Sequence, residues 1–288
     1  MAPIIETRGL THVYGEGTPF RSVALDGVDF SAERGEFIGI IGHTGSGKST
    51  LIQHLNGLLR PTSGQILFEG EDVWKDKEFT RRLRFKVGLV FQYPEYQLFE
   101  ETVYKDMAFG PRNMGLDEEE VRRRVLRAAG FVGLDERILE KSPFDLSGGQ
   151  KRRAAIGGMI AMEPDVLILD EPTAGLDPRG RESILENIRD YQKAQNATIL
   201  MVSHSMDEVA ANASRLLVMN GGKAVMTGAP REIFAHAEEL SRIGLDIPGV
   251  TAILTRLREM GLDLDPTAYE TGEAVKALLA LRKGGGPC

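Results

Sequence analysis

"FIGIIGHTGSGKSTLIQHLNGLL", residues 37–59, is the stretch that decides the fold. Its opening apolar run has the pattern of a strand buried on both faces. A glycine-rich loop follows, then a helical pattern closed near Gly57 and Pro61. Between strand and helix, Gly42 to Ser49 satisfies the spacing G-x-x-x-x-G-K-[ST]. Gly42, His43, Thr44, Gly45, Ser46, Gly47, Lys48, Ser49 and Thr50 therefore make a candidate phosphate cradle. Glycines admit backbone conformations that other residues resist, so successive N–H groups can wrap an anion. Lys48 can reach the β- and γ-phosphates and Ser49 can ligand Mg²⁺. A chance match arises in about one such chain in a hundred on average residue usage. The strand-to-helix setting argues further against an ordinary glycine-rich turn.

Working outward, buried-strand patterns recur at "KVGLVF" (86–91), "VLILD" (166–170), "ATILMVS" (197–203) and "RLLVMN" (215–220). Helical patterns lie between them, notably "RGRESILENIRDYQKA" (179–194). Strands alternating with helices predict an α/β fold with a mostly parallel sheet covered on both faces. Residues 3–40 read as short strands broken by Gly/Pro-rich turns. Residues 94–165 break the rhythm with helical patterns and no strand, which predicts a helical insertion into the sheet domain. After about Gly228 the chemistry-bearing motifs stop and helical spacing continues, so 1–228 is expected to form one domain and 229–288 a small helical appendage.

Composition sets the boundaries of function. With 35 Lys+Arg against 42 Asp+Glu, the net charge of −7 speaks against a nucleic-acid binder, whose footprint is usually basic. The basic runs "RRLRFK" (81–86) and "RRR" (122–124) read as solvated helix faces. Cys288 is the only cysteine, on a "KGGGPC" tail that reads as flexible; this rules out an intrachain disulfide and fits a reducing compartment such as the cytoplasm. The first residues lack a basic segment followed by an apolar stretch, so they do not read as a secretory signal. No apolar run approaches the roughly 18 residues needed to span a bilayer.

Further residues fit the chemistry of a bound nucleotide. "VLILDEP" places Asp170 and Glu171 at the mouth of an apolar strand. A carboxylate there can hold the Mg²⁺ shell, and a second beside it can orient or deprotonate an attacking water. Gln92 follows the strand 86–91, and its amide can donate and accept at once, which suits a contact to metal or water. His204 follows the strand 197–203 and can reach a γ-phosphate, although a lone histidine at a strand end is more often structural. Tyr14, in "HVYGEG", offers a flat face for a base, although an aromatic in a turn usually only packs.

A second anion-binding helix start lies about a hundred residues past the phosphate cradle, at "LSGGQ", Leu146 to Gln150, without a lysine of its own. With the phosphate loop, "LILDE", "AGLD" (174–177) and "SH" (203–204), in this order, it resembles the ATP-binding-cassette ATPases over roughly residues 4–228. The resemblance implies a P-loop NTPase fold: a RecA-like parallel sheet core, an N-terminal antiparallel β subdomain and a helical signature subdomain at about 94–165. In that family two cassettes face head to tail, and the signature of each covers the γ-phosphate held by the other. By resemblance Ser147, Gly148, Gly149 and Gln150 act in trans, and Asp177 ties the two sites together across the interface. Tyr14 then stacks on adenine, and Gly42–Thr50 bind the phosphates of ATP. Ser49, Gln92 and Asp170 attend Mg²⁺, Glu171 is the catalytic base, and His204 contacts the γ-phosphate. The second helix start needs no lysine, because the facing cassette supplies it.

The stretch after Gln92, "FQYPEYQLFEETVYKDMAFGPRNMG" (91–115), carries Tyr93, Tyr96, Leu98, Phe99 and Val103 as an aromatic-aliphatic cluster. Such a cluster either packs the insertion's own core or receives a helix from a membrane subunit. The wording here, with "KSPFDLSGGQ" (141–150) and the helical appendage, resembles the ATPase subunits of energy-coupling-factor importers of vitamins and metal ions. "GHTGSGKST" and "FEETV" are similar to the second of that group's two ATPase types. The resemblance implies a peripheral protein at the cytoplasmic face of the cell membrane, hydrolysing ATP to power import. Its partners would be a second cassette ATPase, a transmembrane coupling protein and a small membrane protein that captures the substrate, with no nucleic acid. A heterodimer of ATPases is implied, a homodimer being the alternative, and the appendage would help to pair them. Other readings of the same head are an ATPase of a different importer class or a DNA-repair or chromosome ATPase. The latter usually carries a long coiled-coil arm between phosphate loop and signature, which this chain lacks.

Overall fold

The computed structural model describes residues 2–265 and 267–284; the tail from 285 on, with Cys288, lies outside the described residues. Its organising feature is a six-stranded sheet, and the strand that decides the fold sits inside it. That strand, β3 (Phe37–Ile41), is flanked by β8 (Thr198–Val202) and β9 (Arg215–Asn220), both parallel to it. Beyond β8 come β7 (Val166–Asp170) and β6 (Val87–Val90), and beyond β9 the antiparallel β10 (Lys223–Gly228) closes the other edge.

Alternation along each central strand sorts residues between two cores. Phe37 and Ile41, Leu167 and Leu169, Ile199 and Met201 enter one cluster. Ile38 and Ile40, Val166 and Ile168, Leu200 and Val202 enter the other. Every residue of β3, β7 and β8 is buried, which explains why these strands read as unbroken apolar runs. Each such aliphatic side chain contributes roughly 1.5–3 kcal/mol of hydrophobic stabilisation relative to exposure.

The second core is closed by a four-stranded antiparallel sheet of β2 (Ser22–Ala32), β1 (Ile5–Tyr14), β4 (Ser63–Phe68) and β5 (Glu71–Asp72), in that order. Here the sequence reading needs correcting. Instead of short broken strands, β1 and β2 are long strands of 10 and 11 residues. The apparent breaks at Gly9 (φ 55°) and Gly27 (φ 66°) fall where the β1–β2 register shifts, so these glycines form bulges within continuous strands. Helix α1 (Lys48–Leu55) buries Leu51, Ile52 and Leu55 between the two sheets. Helix α2 (Lys77–Lys86), capped by Asp76, leads into β6.

The segment between β6 and β7 is helical throughout. It holds α3 (Val103–Asn113), α4 (Glu118–Phe131), the short α5 (Glu136–Leu139) and α6 (Gly148–Ile160), with 3₁₀ turns at Pro94–Gln97 and Pro143–Asp145. Thr102 and Asp117 cap α3 and α4 through side-chain oxygens. The basic run 122–124 is not wholly solvated, since Arg124 pairs with Glu120 and Glu163. Helices α7 (Pro178–Gln195) and α8 (Met206–Asn212) cover the first core.

Past β10 come α9 (Pro230–Phe234), α10 (Ala237–Arg242), α11 (Gly249–Glu259) and α12 (Thr271–Gly284). Ile233, Phe234, Leu240 and Leu245 still pack into the first core. A separate cluster of Leu254, Leu264, Ala268 and Ala274 begins only with α11.

Candidate functional site

The loop between β3 and α1 lies at the carboxyl end of a central parallel strand, where α/β sheets bind ligands. Gly47 takes φ 103°, and a Cβ there would stand 2.6 Å from the Ala24 carbonyl oxygen, so the turn into α1 admits only glycine. The Lys48 ammonium bends back over the loop, donating to the carbonyls of Gly42 at 2.7 Å and His43 at 3.0 Å. Burial lowers its pKa, and the charges of Glu171 and Asp170 pull it back up. The ring of His43 bridges the Thr44 carbonyl, 2.7 Å from Nδ1, and the Asn220 side-chain oxygen, 3.0 Å from Nε2. The Ser46 hydroxyl is buried without a partner.

At the end of β7, Asp170 Oδ2 lies 3.5 Å from the Ser49 hydroxyl. Burial raises the Asp170 carboxyl, while Lys48 and Ser49 act to lower it. A buried carboxylate beside a hydroxyl is a pair of hard oxygen donors of the kind Mg²⁺ takes, with phosphate oxygens and water completing an octahedron. The residues thus fit Mg²⁺. Among the described residues no group of three or more His, Cys, Asp or Glu side chains could hold a metal.

Glu171 follows in the left-handed region, at φ 52°, a conformation that non-glycine residues seldom hold without a reason. Its N–H donates to the Val202 carbonyl at 3.0 Å, which locks the strand exit against β8. The carboxyl is pushed up to about 7, by burial first and then by repulsion from Asp170, with Lys48 opposing. His204 Nε2 stands 3.1 Å from Glu171 Oε1, outside hydrogen-bond direction, so that oxygen has no partner. Burial and the nearby Lys48 lower the pKa of His204, favouring the neutral ring.

One cleft of about 480 Å³ collects Tyr14, Thr44, Gly45, Gly47 to Thr50, Gln92, Asp170, Glu171 and His204, while Gly42, His43 and Ser46 of the same loop do not line it. The Tyr14 hydroxyl lies 3.4 Å from that of Thr50, and its ring meets the His12 ring edge-on with centroids 4.5 Å apart. Ser147, Gly148, Gly149, Gln150 and Asp177 do not line this cleft. Ser147 and Gln150 form a reciprocal capping box at the start of α6, with bonds of 3.3 and 3.1 Å. A Cβ on Gly148 or Gly149 would meet nothing within 4 Å, so this helix start is open to an approaching group. Asp177 caps α7, accepting from the Gly180 N–H at 2.7 Å.

Sequence reasoning missed Glu208. From α8 its carboxylate accepts from Thr173 Oγ1 at 2.8 Å and Ser203 Oγ at 3.2 Å, tying the exit of β7 to the exit of β8. The available signal was misleading. Ser205 and Glu208 have capping-box spacing, yet the glutamate turns away from the cap towards the two strand ends.

Three comparisons bear on this geometry. A protein-family model described as ABC transporter matches residues 25–174. The energy-coupling factor transporter ATP-binding protein EcfA2 of Clostridium tetani is 54% identical over 278 residues, 96% of each chain. The protein of the same name from Caldanaerobacter subterraneus subsp. tengcongensis is 50% identical, covering 97% of this chain and 98% of its own. Among solved structures, cbiO1 of Clostridium perfringens, part of the ABC transporter complex cbiONQ, superposes with a TM-score of 0.76. It is 39% identical and matches 90% of this chain and 99% of its own. The ATP-binding cassette MJ0796, solved as a dimer in a post-hydrolysis state bound to ADP and Pi, gives a TM-score of 0.71 at 26% identity, over 78% of this chain and 98% of its own.

Proposed function

This chain belongs to the ABC transporter family, among the ATP-binding proteins of energy-coupling factor transporters, and from that premise we propose how its residues work. It is an ATPase whose hydrolysis is coupled to transport. The observation that carries the residue-level reading is the single cleft that collects Tyr14, Lys48, Asp170, Glu171 and His204 while the open helix start at Ser147 stays outside it.

In this proposal Tyr14 stacks on adenine, the loop amides from Gly42 to Thr50 hold the phosphates, and Lys48 exchanges its loop carbonyls for β- and γ-oxygens. Ser49, Asp170 and Gln92 would hold Mg²⁺, which when bound supplies charge neutralisation on the phosphate oxygens. Glu171 takes a proton from the attacking water, for which a carboxyl pushed up to about 7 is well matched. His204, neutral, donates to the γ-phosphate from beside it. Ser147 to Gln150 offer their open helix start to the ATP of a facing cassette, and Asp177 joins the two sites.

The partners in this reading are a second cassette ATPase, a transmembrane coupling protein and a substrate-capture membrane protein, with the cargo a vitamin or a metal ion. In this reading the chain sits peripherally at the cytoplasmic face of the membrane; no helix among the described residues is long and apolar enough to cross one. Residues 1–228 would be the nucleotide-binding domain and 229–288 the helical appendage, with α9 and α10 seated in the larger core.

Glu171→Gln tests the assignment directly. The variant should bind ATP with wild-type affinity, lose at least about a hundredfold in kcat, and accumulate a closed cassette dimer. Near-normal turnover would sink the catalytic-base role.

A further inference from the structure

Arg152 is 3% exposed, on the second turn of α6, and does no work in the site as described. Its guanidinium makes a two-pronged bond to Glu95, Nε to Oε2 at 3.0 Å and Nη2 to Oε1 at 2.7 Å. Nη1 donates to the carbonyls of Pro172, at 3.4 Å, and Ala174. The ring of Tyr93 covers the same group at 5.9 Å. Glu95 sits in the turn Pro94–Gln97, three residues past Gln92. Pro172 and Ala174 lie between Glu171 and Asp177. One side chain therefore joins the segment of Gln92, the segment of Glu171 and Asp177, and the helix that Ser147 starts.

Stability alone does not call for such a group. A buried ion pair carries a desolvation cost that its attraction only offsets when the geometry is good, and an apolar residue of like volume is often as stable. What the pair adds is direction: a planar fork fixes the relative orientation of the three segments in a way that an aliphatic contact cannot. Immediately beyond the latch lies an apolar groove of about 310 Å³, lined by Leu98 and Phe99 after the turn, Phe109 of α3, and Gly158 and Met159 of α6. The turn and the helix that carry the ion pair thus also flank the groove.

We propose that Arg152 and Glu95 are positioning residues of the ATPase, a latch that makes the turn Pro94–Gln97, the signature helix α6 and the loop 172–177 move as one body. A shift of the turn Pro94–Gln97 then moves the open helix start of α6 and the exit of the Glu171 strand together, rather than either alone. This rests on the reading above, in which Ser147 to Gln150 serve the facing cassette's ATP and Gln92 and Glu171 serve this chain's own.

The test uses the assembled membrane complex reconstituted in vesicles, with Glu95→Gln, Arg152→Lys and the double variant in this chain. Wild type and Glu171→Gln are the controls, and the readouts are kcat, KM for ATP, substrate moved per ATP and Tm. Glu95→Gln keeps the shape and one acceptor but removes the charge. It should lower kcat about tenfold with KM within about twofold, the pattern of a lost transition-state arrangement. Substrate moved per ATP should fall as well; the unpaired Arg152 charge also lowers Tm, but the loss of kcat persists at temperatures well below Tm, where the chain is fully folded. The double variant should be little worse than either single, a non-additivity in kcat of about fivefold or more. Unchanged kcat and transport ratio in both single variants would overturn the latch. So would losses that follow Tm and add independently, since those report packing alone. A Glu171→Gln complex that hydrolyses like wild type would remove the catalytic reading and the latch with it.

Discussion

Glu171 concentrates the chemistry in one residue, and its environment gives that residue a measurable signature. A carboxyl pushed up to about 7 accepts a proton readily from water but is only half ionised at neutrality. As a base it works deprotonated, so kcat/KM, which reports the chain before nucleotide binds, should rise with pH through about 7 and level off above it. A profile flat from pH 6 to 8 would mean that proton transfer to Glu171 does not limit turnover. The same shift has a consequence for folding. A carboxyl raised from 4.5 to about 7 favours the folded state while protonated, and that advantage is lost as pH rises through the window between the two values. Glu171→Gln cannot ionise. Without nucleotide it should match wild type in Tm below pH 4.5 and gain on it through that window, with the full advantage above about 7. An equal Tm difference at pH 5 and pH 8 would contradict the burial cost assigned to the carboxylate.

At the scale of the element, α6 has two ends with different tasks. Its start is closed internally by the Ser147–Gln150 capping box but open on its outer side, and its second turn is held by Arg152. Ser147→Arg removes the cap, worth about 1 kcal/mol, or about 2–4 °C in Tm for a chain of 150–250 residues. It also puts a bulky cation over the open helix start. ATP affinity of the lone chain should stay within about twofold, measured by titration with a fluorescent nucleotide, while hydrolysis at the partner's site is lost in the assembled pair. Loss of ATP binding by the lone chain would refute the in-trans role. This contrast also explains what was legible in the sequence. The phosphate loop, Asp170 and Glu171 are defined by their immediate neighbours, a buried strand before them and a turn after, so local pattern finds them. Arg152 bonds to residues 57 and 20 positions away, and Glu208 reaches back 35 to Thr173. Such residues look like ordinary helix-surface charges until the fold brings their partners alongside. The long strands β1 and β2 were hidden for a related reason, since a glycine bulge and a glycine turn read alike in one sequence.

For the whole molecule, the decisive division is between the part that binds nucleotide and the part that begins at α11. Leu254, Leu264, Ala268 and Ala274 form a core of their own, while Ile253, Met260, Val275 and Leu279 are exposed apolar side chains around it. The attachment to the main body is largely polar: Arg231 pairs with Asp265 and Glu273, and the Gly249 N–H donates to Asp207 at 3.0 Å, while Tyr269 packs against the main core with its ring 6.3 Å from that of Phe234. Surface ion pairs of this kind contribute little, typically 0–1 kcal/mol each. A chain ended after Pro248 retains Phe234, Leu240 and Leu245 in the main core and should fold and bind ATP as the full chain does. What it loses is the apolar surface of α11 and α12, an area suited to a matching surface on the second ATPase. Gentle purification of the tagged full chain from its own cells should recover a second cassette ATPase, a multi-span membrane protein and a small substrate-capture protein, identified by mass spectrometry. The shortened chain, purified the same way, should recover markedly less of the second ATPase while its ATP affinity is unchanged. Equal recovery would show that the cassette surfaces alone hold the pair and that α11 and α12 serve some other contact. Recovery of nucleic-acid enzymes in place of membrane proteins would remove the transport role and leave the ATPase.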